Sequence, residues 1–161
     1  MNDFDSSGSG SAYSSMMRVI ALDYGMKSIG VALSDELQLT ARPLTTIRRV
    51  KGKFAEVIEQ ITMLVKQYEA GTLVIGFPLN MDGSRGLATA RVDSFVTELQ
   101  RHLTIPIVKL DERLTSYEAD QILREAGAGL RERRAKSDEY AALLILRDYL
   151  AAQSSQREHS T

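Results

Sequence analysis

Three short apolar runs come before any helical periodicity, and that order constrains the fold more than any other feature of the chain. Arg18 to Leu22 (RVIAL) and Ile29 to Leu33 (IGVAL) are separated by few residues, so they should pair as a hairpin. Leu39 to Ile47 reads as a weaker third strand, and Pro43 inside it suggests an edge position or a bulge. Helical period then appears at Phe54, Val57, Ile58, Ile61, Leu64, Val65 and Tyr68, with Gly52 before the helix and Gly71 expected to stop it. Thr72 to Ile75 (TLVI) is continuously apolar, as a central strand covered on both faces should be. Ala88, Val92, Phe95, Val96, Leu99 and Leu103 mark a second helix, and Pro106 to Leu110 a fifth strand.

Thr115-Ser116-Tyr117-Glu118 has capping-box form, which predicts a helix from Thr115 to about Ala126. The glycines and basic residues between Gly127 and Lys136 read as a mobile basic loop. Ser137 is expected to cap a last helix, which is apolar on nearly every side over Ala141 to Leu146 and hence buried. The order predicts an α/β fold: a five-stranded mixed sheet flanked by helices on both faces. Strands 1 to 3 should be antiparallel, and strands 4 and 5 parallel.

Residues 1–16 are Ser/Gly-rich and cannot bury enough surface to offset their ordering entropy, so they read as a disordered tail. Residues 17–152 are expected to form a single domain, and 153–161 a second disordered tail. The first sixteen residues lack the apolar core of a signal peptide, and no stretch approaches the roughly 18 apolar residues that span a bilayer. The cytoplasm is the expected compartment, with no membrane partner.

Charge and composition narrow the chemistry. Twenty Lys and Arg face 21 Asp and Glu, for a formal net charge of −1, which argues against a wholesale polyanion binder. Positive charge is nonetheless gathered at Arg42, Arg48, Arg49, Lys51 and Lys53, and again at Arg124, Arg131, Arg133, Arg134 and Lys136. The chain has no Cys, which excludes disulfides, thiolate metal sites and cysteine nucleophiles. With only His102 and His159, a His-based triad is nearly excluded. Any metal chemistry must rest on carboxylates, which favours Mg²⁺ or Mn²⁺.

Three acids stand where such chemistry is commonly put. Asp23 ends the first strand, Glu112 follows the fifth, and Asp138 is expected in the first turn of the last helix. Converging carboxylates need a cation, and two ions about 4 Å apart can activate water and stabilise a phosphodiester's leaving oxygen. Plainer readings stand beside this one: Asp23 as a turn residue, Asp138 as a helix-dipole partner, Glu112 as half of an ion pair with Arg113. Lys27 either stabilises developing charge with Arg113 or pairs with the acids. Asn80, Asp82 and Ser84, between the fourth strand and the second helix, are candidates for positioning a nucleic-acid strand, or form an ordinary connector.

The segments ALDYGMKSIGVALSD, VIGFPLNMDGSRG, LDERLTSYEA and KSDEYAALLIL, in this order, resemble the YqgF family. These are bacterial ribonuclease-H-like proteins, regarded as Holliday-junction-resolvase-like and as nucleases maturing the 5′ end of pre-16S rRNA. The resemblance runs from Ala21 to about Leu146. It implies a ribonuclease H-like fold and a metal-binding triad of Asp23, Glu112 and Asp138, holding two Mg²⁺ or Mn²⁺ ions. Arg113 and Thr115 match its third block and join the substrate-binding candidates.

The leading expectation is therefore a metal-dependent nuclease acting on pre-rRNA, as a monomer or homodimer. The alternatives are a resolvase of branched DNA and a non-catalytic nucleic-acid-binding module. The Asp23 hairpin also resembles the phosphate-binding turn of sugar kinases, but those enzymes need two such domains, and this chain is too short.

Overall fold

The computed structural model describes residues 17–111, 121, 124, 125, 127 and 129–159, by backbone alone over 130–137. Five strands, β1 (Arg18–Tyr24), β2 (Ser28–Ser34), β3 (Ala41–Arg48), β4 (Ala70–Phe77) and β5 (Ile107–Asp111), form one sheet in the order β3-β2-β1-β4-β5. Three helices accompany them: α1 (Phe54–Gln67), α2 (Leu87–Gln100) and α3 (Leu130–His159). As the hairpin reading expected, β1–β2 and β2–β3 are antiparallel, while β1–β4 and β4–β5 are parallel.

Alternation along each strand divides the core in two. Ile20, Leu22, Ile29, Val31, Leu33, Leu73, Ile75 and Phe77 face α1 and α2, where Ile58, Ile61, Val92, Phe95 and Leu99 meet them. Val19, Ala21, Ala32 and Val74 face the other way, onto Ala142, Leu143, Ile145 and Leu146 of α3. Burial of each Leu, Ile, Val or Phe contributes about 1.5–3 kcal/mol. Small residues dominate the sheet's α3 face, so that helix lies close to the backbone of the strands.

The edge strand β3 carries Pro43 opposite Ala32, at a break in register between Val31 and Ala32. Both the edge and the bulge anticipated from that proline are present. The turn into β3 is tied by Asp35, whose Oδ1 accepts hydrogen bonds from the amides of Leu39 (2.7 Å) and Thr40 (2.8 Å). Slight burial would raise the Asp35 carboxyl pKa, but hydrogen bonds from Thr40, Leu39 and its own amide outweigh this and hold it below the ordinary value.

Three expectations are corrected. The residues from Leu130 onward are a helix rather than a basic loop, and Ser137 is interior to α3 rather than its cap. Asp138 is therefore not in the first turn; eight residues at roughly 1.5 Å each put it about 12 Å along the helix. The reason lies in Leu130-Arg-Glu-Arg-Arg-Ala-Lys136, which are all strong helix formers despite their charge. Helix α3 also continues through 153–159, where a disordered tail was expected. Arg157 Nη2 donates to Gln38 Oε1 at 3.0 Å, and Arg157 and His159 complement the dipole in the last turn. Thirdly, α1 stops at Gln67 without using Gly71: Glu69 takes the left-handed conformation (φ 51°), and Gly71 lies within β4 against the Met17 side chain. The helix expected over Thr115–Ala126 and the N-terminal tail lie outside the described residues, apart from Gln121, Arg124 and Glu125 in that helix. No helix among the described residues is long and apolar enough to cross a membrane.

Candidate active site

β1, β4 and β5 run parallel, so their carboxyl ends, at Tyr24, Phe77 and Asp111, share one edge of the sheet. Asp23 sits at this edge and is only 9% exposed. Its partner across the β1–β2 ladder is Gly30, and Gly30 in turn pairs with Thr46 of β3. Asp23, Gly30 and Thr46 thus form one row across three strands, on the face that α3 covers.

Helix α3 crosses this row at Asp138. A Cβ built on Gly30 would lie 1.8 Å from the Asp138 carbonyl oxygen, so only glycine allows the approach. Ser28 Oγ donates a hydrogen bond to Asp138 Oδ2. One residue on, Thr46 Oγ1 donates to Glu139 Oε1 at 3.0 Å. Paired strands lie roughly 5 Å apart, which sets the scale of the step from Gly30 to Asp23. Asp23 therefore lies one strand spacing from the point where α3 crosses at Asp138, although α3 begins two turns earlier than the sequence suggested.

Glu112 follows β5 directly in the chain and, with Arg113 and Thr115, lies outside the described residues. No group of three His, Cys, Asp or Glu that could hold a metal occurs among the described residues. Asp23 and Asp138 carry hard oxygen donors, which suit Mg²⁺ or Mn²⁺ and not softer metals.

The other candidates are spread around this edge. Lys27 is exposed in the β1–β2 turn, and its carbonyl accepts from the Arg49 amide at 2.8 Å. Asn80, Asp82 and Ser84 are exposed in the loop after β4, where they hold one another. Asn80 Nδ2 donates to Ser84 Oγ and the Ser84 amide to Asp82 Oδ1, each at 2.9 Å. Arg85 and Lys109 flank the Phe77 ring, 5.2 and 4.9 Å from its centroid, and both reach Asp93.

Several neighbours escaped the sequence reading. Ser28, Thr46 and Glu139 dock α3; the period-two series Ser28, Gly30, Ala32 was the available signal. Arg49 was visible only as part of a basic cluster. It lies over the Tyr24 ring at 4.4 Å and donates to the Gly25 carbonyl, while Tyr24 stacks on Phe95 at 4.1 Å.

A mixed sheet of this order, with helices on both faces and an acid at the carboxyl end of its central strand, defines a ribonuclease H-like fold. RuvC of Thermus thermophilus, solved in complex with a Holliday junction substrate, shares it at TM-score 0.60 and 15% identity, over 86% of this chain and 96% of that one. The fowlpox virus Holliday junction resolvase shares it at TM-score 0.57 and 10% identity, over 85% and 99%. In sequence, residues 17–152 match the RuvX family, described as Holliday junction resolvase, and the chain belongs to that family, which the YqgF blocks had pointed to. A relative from Syntrophus aciditrophicus, named "Putative pre-16S rRNA nuclease", is 43% identical over 141 residues, covering 88% of this chain and 93% of its own length. One of the same name from Halalkalibacterium halodurans is 43% identical over 137 residues, covering 85% and 98%.

Proposed function

We propose that this chain is a divalent-metal-dependent nuclease of the cytoplasm that processes pre-16S rRNA at its 5′ end during ribosome biogenesis. The observation that carries the reading is the close approach of α3 at Asp138 to Gly30, the ladder partner of Asp23, at the carboxyl edge of the sheet. Relatives at 43% identity bear the name of that activity.

Asp23 and Asp138 would hold Mg²⁺ or Mn²⁺, with Glu112 as the third donor of a two-ion set. Such ions activate water and stabilise the leaving oxygen of an in-line phosphoryl displacement. The chain's part is placement. Burial of Asp23 restricts competing solvent, and the Ser28 hydroxyl orients the Asp138 carboxylate. Lys27 and Arg113 would meet negative charge on the substrate, with Asn80, Asp82, Ser84 and Thr115 as further strand contacts. Divalent ions also change the electrostatics: two would move the formal charge from −1 to +3, which favours a polyanion.

Labelled 5′ fragments of pre-16S rRNA, plain duplexes and four-way DNA junctions, each given with Mn²⁺, test the reading. The RNA fragment should be cut, and cutting should vanish in Asp23→Asn, Glu112→Gln and Asp138→Asn. Preferential cutting of the junction, or cutting that survives in the acid variants, overturns it. Light scattering decides between monomer and homodimer.

A further inference from the structure

On the face of the sheet opposite α3, a groove opens beside the same carboxyl edge. Its floor is the stack of Tyr24 on Phe95, with Phe54 edge-on to Phe95 at 6.1 Å. Its rim carries three apolar side chains in water: Met26 (66% exposed), Leu87 (70%) and Phe54 (42%). Two guanidinium groups stand among them. Arg49 covers Tyr24, and Arg91 Nη1 touches Met26 Sδ at 3.2 Å. Phe95 is a core residue, but Met26 and Leu87 stand mostly in water, and apolar groups gathered around arginines mark a binding surface.

We infer that this groove holds an unpaired RNA nucleotide next to the catalytic carboxylates, a subsite that rests on the nuclease reading above. The chemistry of the groove selects this occupant. Phe54 offers a ring, and the outer plane of Arg49 a flat cation, on which a base can stack. Arg91 supplies a donor fork for phosphate. A duplex keeps its base faces stacked on one another and has none to offer, so the groove is selective for a single strand. Orientation follows from charge. Glu98 also lines the groove, about two turns from Arg91 along α2, and repels phosphate, so the phosphate belongs with Arg49 and Arg91. Continuity with the site follows from the backbone: Tyr24 is the residue after Asp23, and their side chains leave β1 on opposite faces. A strand turning over the edge at Asp23 therefore enters the groove.

Fluorescence anisotropy with a fluorescein-labelled 12-residue oligouridine, in EDTA so that nothing is cut, tests the subsite. Phe54→Ala and Arg91→Gln should each raise Kd about fivefold or more, while binding of a duplex RNA of equal length changes less than twofold. Lys66→Gln, an exposed charge on α1 outside the groove, serves as the electrostatic control. Arg91 is exposed, so its variant should melt like wild type; Phe54→Leu retains apolar bulk and should recover folding but not stacking. Wild-type affinity in both groove variants, or an equal loss in Lys66→Gln, overturns the subsite. Wild-type protein that binds oligouridine through the groove yet cuts no RNA overturns the nuclease reading instead.

Discussion

The α-carbon of Gly30 lies beneath the carbonyl oxygen of Asp138, so close that a methyl group would be 1.8 Å from that oxygen. Backbone of a helix and backbone of a strand cannot share that space with a side chain. Gly30→Ala must push α3 off β2, at a cost of about 1–3 kcal/mol or more, as for an overpacked core. Thermal melting should show the loss. Cleavage should fall further than stability, because Asp138 moves with the helix. An unchanged melting temperature would show that α3 does not seat on β2 in this way.

Asp23 is buried, and in the proposed site it shares a cation with a second acid, an arrangement that like-charge repulsion makes costly without that cation. Asp23→Asn should therefore raise the melting temperature in EDTA while abolishing cleavage. Wild type should gain stability from Mn²⁺, by about 2.7 kcal/mol at a hundredfold excess over Kd, and the variant should not. A variant that melts lower than wild type without metal would contradict the repulsion argument.

Glu69 pays the strain of a left-handed residue just past α1, with φ at 51°. Glycine adopts that conformation without penalty and is the common choice after a helix end. Glu69→Gly should stabilise the fold by about 0.5–1 kcal/mol, read as a higher denaturant midpoint at unchanged m-value. Destabilisation would mean that the glutamate side chain contributes more than its backbone costs.

The depressed Asp35 carboxyl ties stability to pH through the turn before β3. Because its folded pKa lies below its unfolded value, the contribution is complete above the ordinary carboxylate range. It is lost as pH falls from about 4 through the lower folded pKa. Asp35→Ala should cost roughly 1 kcal/mol at neutral pH, with the difference from wild type shrinking in acid. A gap that stays constant from pH 7 to pH 2.5 would assign the effect to something other than the carboxylate.

Much of this architecture could be read from apolar spacing alone. The short gap between the apolar runs RVIAL and IGVAL predicted the hairpin, and the unbroken TLVI marked the strand buried on both faces. Reading failed where two signals competed for one segment. Ser137-Asp138 looks like a helix start, and four basic residues and two glycines before it look like solvated loop, yet helix propensity over 130–136 prevailed. Gly71 looked like a helix stop because it follows the apolar period of α1; its service is to admit Met17 against β4. The carboxyl-edge rule singled out Asp23 and Asp138, but not Gly30, where α3 meets the ladder partner of Asp23. A glycine inside a strand announces a close approach without saying what approaches. Asn80, Asp82 and Ser84 were read as strand-positioning candidates or an ordinary connector; neither reading specified the hydrogen bonds among them that shape their loop.

Pro43 has a consequence outside the site. At the margin of the sheet formed by β3, it removes one amide hydrogen, and the register break beside it upsets the even spacing of donors and acceptors. An incoming strand needs both. That margin is consequently a poor template for another chain, and it guards a crowded solution of this protein against edge-to-edge aggregation.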